Sequence, residues 1–98
     1  LSIMYEGLNS IKGIYPIRPD GAFYMFTDIS SFIGKTFRND VIKSSEDFSL
    51  KLLENYYVAT IPGLAFGTDN FVRLSFATSE KDIRDGIEKI KNFITEIK

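Results

Sequence analysis

The segment Phe71-Val72-Arg73-Leu74-Ser75-Phe76-Ala77 is predicted to be a strand that leads almost directly into a long helix. Side chains of a strand point alternately to its two faces. The alternation therefore predicts one face of Val72, Leu74 and Phe76, and an opposite face of Phe71, Arg73, Ser75 and Ala77. Ser79 is the predicted N-cap of the helix. An amphipathic helix of nearly twenty residues follows, with isoleucines on one face at positions 83, 87, 90, 94 and 97.

The same helical spacing predicts two further helices. Residues 1–13 place apolar side chains on one side of a helix that stops at Gly13. A second helix is predicted to begin at Ser44-Ser45-Glu46-Asp47, a pattern typical of a capping box. The apolar stripe that follows in this helix consists of Phe48, Leu52, Leu53 and Tyr56.

The remaining segments are predicted to be strands and loops. Residues 22–29 form the strongest strand, and their almost unbroken apolar character predicts that both faces are covered. Residues 57–61 form a short strand that ends at Pro62-Gly63. Two prolines make residues 14–19 extended and exclude a helix interior or a central strand. Residues 30–43 and 62–70 are predicted to be surface loops, the second rich in turns.

These elements define a fold class. Three or so strands need cover for their apolar face, and three helices can supply it. The predicted fold is therefore α/β (α+β), a two-layer sandwich with a mostly antiparallel sheet of about three to four strands covered by about three helices. With 98 residues, the chain is predicted to form a single domain, residues 1–98.

The composition excludes several classes of protein. The chain contains neither cysteine nor histidine, which excludes disulfide scaffolds, cysteine-ligated metal sites and nucleophilic catalysis that relies on histidine. Twelve basic and thirteen acidic side chains give a net charge of −1, which argues against a nucleic-acid partner. No apolar run approaches the ~20 residues that cross a bilayer, so no membrane partner is expected. The absence of cysteine favours a cytoplasmic location.

Arg73 is the charged side chain of most interest, because it lies in the middle of an apolar strand. A guanidinium group presents a planar pair of donors that matches a carboxylate in two parallel hydrogen bonds. Ser75 and Ala77 on the same predicted face are small and leave room for it. The residues alone leave a simpler interpretation open, in which Arg73 is exposed or lies on an edge strand.

Other short motifs indicate less. Gly34-Lys35-Thr36 matches the end of a phosphate-binding loop, but that loop needs a glycine five residues earlier, where this chain has Ile29. The glycines of Gly63-Leu64-Ala65-Phe66-Gly67 either permit tight turns or let the backbone pass close to a ligand. Asp28 and Asp47 have no fixed separation that would make them a catalytic pair.

Three strings occur in a fixed order along the chain. They are Pro19-Asp20-Gly21-Ala22-Phe23-Tyr24, Val58-Ala59-Thr60-Ile61-Pro62-Gly63-Leu64-Ala65-Phe66-Gly67 and Val72-Arg73-Leu74-Ser75-Phe76-Ala77-Thr78-Ser79. Together they resemble the C-terminal small domain of the aspartate-aminotransferase family, the fold-type-I pyridoxal-phosphate enzymes. The resemblance covers nearly the whole chain, and the ordered set is more specific than any one string.

The resemblance implies a role for particular residues. It implies that the parent protein is an amino-acid:2-oxo-acid aminotransferase that binds pyridoxal 5'-phosphate, acts on aspartate or a similar amino acid, and works as a homodimer. In that family an arginine on the strand before the final helix binds the α-carboxylate of the substrate, and the matching residue here is Arg73. Phe23 matches a position that lines the substrate pocket in related enzymes.

The sequence also departs from the family's pattern. The family links its cofactor to a lysine in a Ser-x-Ser-Lys context in the large domain, and none of the lysines here has that context. We therefore expect a fragment that lacks the large cofactor-binding domain, binds no cofactor productively and catalyses nothing alone. Leu1, inside a predicted helix, adds to that expectation. A stand-alone regulatory module, with Arg73 holding a carboxylate ligand, is the alternative, and a structural or interaction domain is a third.

Overall fold

A computed structural model describes residues 2–17, 24–67, 69–75 and 80–98. Within these ranges, three helices cover one face of a four-stranded antiparallel sheet, and a small two-stranded sheet lies beside them. The arrangement confirms the predicted α/β sandwich. None of the helices in this described part is long and apolar enough to cross a membrane.

The described residues form three helices and six short strands. The helices are α1 (Ser2–Asn9), α2 (Ser45–Tyr56) and α3 (Glu80–Thr95). The strands are β1 (Tyr15–Pro16), β2 (Tyr24–Asp28), β3 (Thr36–Phe37), β4 (Asp40–Val41), β5 (Ile61–Pro62) and β6 (Phe71–Ser75). The order in the larger sheet is β1-β2-β6-β5, so β6 lies in its interior and β1 and β5 form its edges.

The N-terminus of α2 confirms the predicted cap. The Ser44 hydroxyl accepts a hydrogen bond from the backbone N–H of Asp47 at 3.2 Å. The Asp47 carboxylate in turn accepts from the backbone N–H of Lys43 at 2.9 Å. The first N–H groups of a helix have no partner inside the helix, so the bond from Asp47 to Ser44 stabilises the first turn, and the bond from Lys43 fixes the chain that enters it. The predicted cap of α3, Ser79, lies outside the described residues.

Pairing between β2 and β6 determines which side chains the helices cover. Thr27 is paired with Val72, and both are buried, as is Leu74. Residues directly opposite each other in an antiparallel pair point to the same side. These side chains meet residues from all three helices around a small internal void, among them Leu8 of α1, Leu52 of α2 and Ile90 of α3.

The prediction that both faces of residues 22–29 are covered is wrong for the described residues. Phe26 and Asp28 lie on the side of β2 away from the helices, and both are only half-buried. An unbroken apolar run cannot distinguish a strand buried on both faces from one whose second face is only partly buried.

The segment 30–43 is not a surface loop. Phe32, Phe37 and Ile42 are buried in the core, and β3 and β4 form a hairpin. Its two-residue turn, Arg38-Asn39, has positive φ angles of 46° and 74°, as a type I′ turn requires. The ring of Phe37 lies 4.9 Å from that of Phe93 in α3. Strands of two residues are too short to show an alternating pattern, which is why the sequence did not indicate them.

The segment 57–61 is not a strand over its whole length either. Tyr57 has a left-handed φ of 60°, and its N–H donates to the carbonyl of Leu53, which ends α2. Regular pairing starts only at Ile61 and includes Pro62, which an edge strand tolerates because no N–H is needed on its outer side.

The two terminal helices are shorter than the predicted patterns. The predicted helix of residues 1–13 is too long, because α1 ends at Asn9. Ile11 is still buried, so the apolar pattern continues past the end of the helix. At the other end, α3 ends at Thr95, and Ile97 forms a bridge with Phe37 instead of continuing the helix.

Two glycines have nearly the same backbone conformation but different surroundings, so substituting each of them distinguishes the cost of backbone strain from the cost of overpacking. Gly13 and Gly34 have φ angles of 91° and 92°. A Cβ atom at Gly13 would lie 2.7 Å from Cζ of Phe32, whereas a Cβ at Gly34 would meet nothing within 4 Å. Gly34→Ala is expected to cost about 1 kcal/mol from the positive φ alone, and Gly13→Ala a further 1–3 kcal/mol or so from overpacking.

Urea unfolding at constant slope measures both losses. Equal losses for the two variants would contradict the packing contribution of Phe32.

Candidate functional site

Arg73 lies at the centre of the sheet, with one paired residue on each side. Phe26 of β2 and Ile61 of β5 are its direct partners in the two ladders. The interpretation of Arg73 as an edge-strand residue is therefore wrong. Because Val72 and Leu74 on either side of it are buried under the helices, Arg73 points to the opposite side of the sheet.

That opposite side, which we call the open face, is mostly apolar. Tyr15 and Ile17 are 59% and 52% exposed, and Ile17 continues the pairing of β1 because its N–H donates to the carbonyl of Phe26. The other members of the open face are half-buried. The open face comprises Tyr15, Ile17, Phe26, Asp28, Ile61, Phe71 and Arg73.

The burial of Arg73 suits an anion-binding role. Its side chain is half-buried and its Nε atom is buried. Apolar neighbours lower the local dielectric, so a guanidinium group attracts an anion more strongly there than in open water. The ladders on both sides of β6 fix the backbone that carries it, which limits the conformational freedom lost when a ligand binds.

Asp28 and Asp47, the acidic residues considered as a catalytic pair, each accept a hydrogen bond from a nearby backbone N–H. Asp28 lies at the end of β2, and its carboxylate accepts from the backbone N–H of Ser30 at 2.8 Å. Asp47 lies in the first turn of α2, which packs on the other face of the sheet, and its carboxylate accepts from the backbone N–H of Lys43 at 2.9 Å. The structure therefore does not bring them together. Phe23, the predicted pocket residue, lies outside the described residues, as does Ala77.

The glycine-bounded loop next to β6 uses its second glycine for a turn. Residues Gly63–Phe66 form a short 3-10 helix, which we call η2, and Gly67 ends it with a φ of 78°. A Cβ at Gly67 would meet nothing within 4 Å, so no described atom requires a close approach of the backbone there. Of the two interpretations of this loop, the geometry favours the tight turn.

Pyridoxal phosphate, which the resemblance implies, does not fit the described residues. The cofactor of such enzymes needs a lysine near the substrate. The described strands of the larger sheet contain no lysine. Lys51, the one half-buried lysine, is on α2, which packs on the face of the sheet opposite Arg73. The other lysines are exposed: Lys12, Lys35, Lys43, Lys81, Lys89, Lys91 and Lys98. The described strands of the larger sheet therefore offer a cation for a carboxylate but no lysine that could hold this cofactor.

A second polar cluster joins the hairpin to two helices, and the sequence pattern did not indicate it. Arg38 in the hairpin turn donates from Nε and Nη2 to the two carboxylate oxygens of Glu96, at 2.8 and 3.0 Å. Its Nη1 donates to Asn55 at 3.0 Å, and the hydroxyl of Tyr56 donates to Glu96. The cluster attaches the turn to the C-terminal ends of α2 and α3.

Hydrogen bonds within this cluster shift the pKa values of Glu96 and Tyr56. The hydrogen bond from Arg38, followed by that from Tyr56, lowers the pKa of Glu96. The hydrogen bond to Glu96 raises the pKa of Tyr56 above its ordinary value. Both shifts favour the state in which an ionised carboxylate accepts from a protonated phenol and a guanidinium.

Comparison with known proteins identifies the family. The family model described as aminotransferase class I and II matches residues 2–90. The aspartate aminotransferase of Sulfurisphaera tokodaii is 50% identical over 95 residues, covering 94% of this chain and 23% of that protein. The aspartate aminotransferase of Rhizobium meliloti strain 1021 is 42% identical over 89 residues, covering 90% of this chain and 22% of that protein.

The fold agrees with the sequence comparison. The crystal structure of the aspartate aminotransferase from Rhizobium meliloti superimposes with a TM-score of 0.94 at 37% sequence identity, covering 99% of this chain and 24% of that one. The chain belongs to the aminotransferase class I and II family, which confirms the resemblance. It spans only 22–24% of the length of these relatives.

The cluster around Glu96 predicts a loss of stability in acid. A carboxylate whose folded pKa is lowered contributes stability above its unfolded pKa of about 4.3, and the contribution is lost as the pH falls through the lower folded value. The urea midpoint is therefore expected to decline below about pH 5, and Glu96→Gln should flatten this decline.

The measurement is a series of urea unfolding curves from pH 7 to pH 3. Glu54→Gln, which removes an exposed carboxylate on α2, is the matched control and should leave the decline in place. An equal decline in the Glu96→Gln variant would contradict the assignment.

Proposed function

We propose that this chain is the small domain of a pyridoxal-phosphate-dependent aminotransferase, and that Arg73 binds the α-carboxylate of the amino-acid substrate. The observation that carries the proposal is the position of Arg73 in the interior of the sheet, on an open face that is otherwise mostly apolar. The reaction proposed for the whole protein is amino-group transfer from an amino acid to a 2-oxo acid. The names of the relatives favour aspartate as the amino acid.

The proposed role of Arg73 is binding and orientation. Its planar donors would hold the carboxylate in two parallel hydrogen bonds and fix the direction of the substrate relative to the sheet. Phe26 and Ile61 on either side exclude water from the ion pair and so strengthen it. Orientation of this kind contributes to rate because a misplaced substrate reacts more slowly. Phe23 is proposed to line the same pocket.

The open face is also the surface that we assign to contact with the large domain. Exposed apolar side chains such as Tyr15 and Ile17, beside the half-buried rings of Phe26 and Phe71, are typical of a surface that another part of the protein covers. The large domain would supply the cofactor and the lysine that holds it, since the described residues do not fit that role. We further propose a homodimeric and cytoplasmic parent enzyme, and no activity for the present chain alone.

Substitution of Arg73 in the full-length enzyme tests its role. Arg73→Ala is expected to raise KM for aspartate and lower kcat/KM on the order of 10²-fold or more, because it removes a charge-assisted bidentate pair of about 3 kcal/mol. Arg73→Lys keeps the charge but loses the planar pair of donors, so it should recover only part of the loss.

Arg84→Ala is the matched control for this test, because it removes the same charge from an exposed position on α3. It should leave steady-state kinetics unchanged. Kinetics of Arg73→Ala equal to those of the parent would reject the assignment.

A separate measurement tests whether the chain alone holds the cofactor. Titration of residues 1–98 with pyridoxal phosphate should give only weak, nonspecific absorbance changes from exposed lysines. A stoichiometric absorbance change that responds to aspartate would contradict the proposal. Tight binding of a small carboxylate without any cofactor signal would instead support the stand-alone regulatory module.

A further inference from the structure

Two buried serine hydroxyls lie one turn apart on helix α2. Ser45 is fully buried and Ser49 is 7% exposed. Residues four apart lie on the same face of a helix. This face is directed toward residues 60–70, the segment that contains β5 and leads into β6, and both hydroxyls form hydrogen bonds to that segment.

Ser45 joins three parts of the chain. Its hydroxyl donates to Oδ1 of Asp69 at 2.8 Å, and its backbone N–H donates to the same oxygen at 3.0 Å. The hydroxyl also accepts from the backbone N–H of Leu64 in η2 at 3.2 Å. Asp69 thereby caps the start of α2 from another part of the chain, because Ser45 is the first residue of that helix.

Ser49 holds the other end of the same segment. Its hydroxyl accepts from the Thr60 hydroxyl at 2.8 Å. Thr60 immediately precedes Ile61, the residue of edge strand β5 that is paired with Arg73. An edge strand of two residues has few ladder hydrogen bonds of its own, so a side-chain attachment next to it contributes much of its placement.

The segment is also fixed where it enters β6. The carbonyl of Asn70, next to Asp69, accepts from the backbone N–H of Ile29 at 2.8 Å. Phe71 follows and is a member of the open face, two residues before Arg73. The Ser45–Asp69 contact therefore lies at the start of the strand that carries Arg73, and the Ser49–Thr60 contact lies at the start of the strand beside it.

We propose that Ser45 and Ser49 are positioning residues for the carboxylate site at Arg73. Ser49 attaches Thr60, just before β5, to α2, and Ser45 attaches Asp69, just before β6, so that Ile61 and Phe71 are held beside the guanidinium group. This inference rests on the proposed function of Arg73. Neither serine touches the substrate; each acts through the strands that border it.

Steady-state kinetics of the full-length, cofactor-loaded enzyme test the proposal. Ser45→Ala is expected to raise KM for aspartate and the inhibition constant of succinate, an unreactive dicarboxylate, by about ten-fold while kcat changes less. Asp69→Ala removes both hydrogen bonds between Asp69 and Ser45, at a half-buried position, and serves if Ser45→Ala does not fold. Asp69→Asn keeps an acceptor oxygen and should restore both constants to near the parental values.

Ser44→Ala is the matched control, because it removes the N-cap of the same helix without touching the β5–β6 connection. It should lower the unfolding midpoint and leave KM and the succinate constant unchanged. If Ser45→Ala and Asp69→Ala change KM no more than Ser44→Ala, the positioning role is rejected while the Arg73 variants still report on the proposed function. If Arg73→Ala also leaves KM unchanged, both proposals fall.

Discussion

The antiparallel pairing of β2 with β6 determines which side chains of the sheet enter the core and which lie on the open face. The register places Thr27 opposite Val72 and Phe26 opposite Arg73, so one set of side chains enters the core and the other stays on the open face. A shift of one residue would exchange the two sets and bury a guanidinium group under three helices. The burial of Val72 and Leu74 against the helices therefore also keeps Arg73 on the open face, and the same packing supports stability and the proposed site.

The unequal faces of the sheet agree with the size of the chain relative to its family. The relatives are about four times as long, since the chain spans 22–24% of them. A sheet that buries one face under its own helices and leaves aromatic and aliphatic side chains half-exposed on the other is typical of a domain that shares a surface with a neighbour. Under the function proposed above, Arg73 on the open face would lie at the boundary with the large domain.

Long periodic patterns could be predicted from the sequence, whereas contacts between distant segments could not. The isoleucines of α3, the alternation in β6 and the cap at Ser44 each depend on neighbours within a few residues, and the structure contains all three. The hairpin of residues 36–41 could not be predicted, because its strands have two residues each and its turn lacks the usual glycine. The Ser45–Asp69 contact joins residues 24 apart and exists only once the sheet has formed. Arg73 could be singled out, but its place inside the sheet could not.

The β2–β6 ladder also has a kinetic consequence. Its paired residues are about forty to fifty positions apart in the chain, so a large loop must close before the first hydrogen bond forms. The helices need no such closure and can form early, with α2 already capped by its own Ser44. Folding is then expected to be limited by assembly of the central strands. Until that step the aromatic residues of β2 remain exposed, and a nascent chain is at its greatest risk of association with other chains.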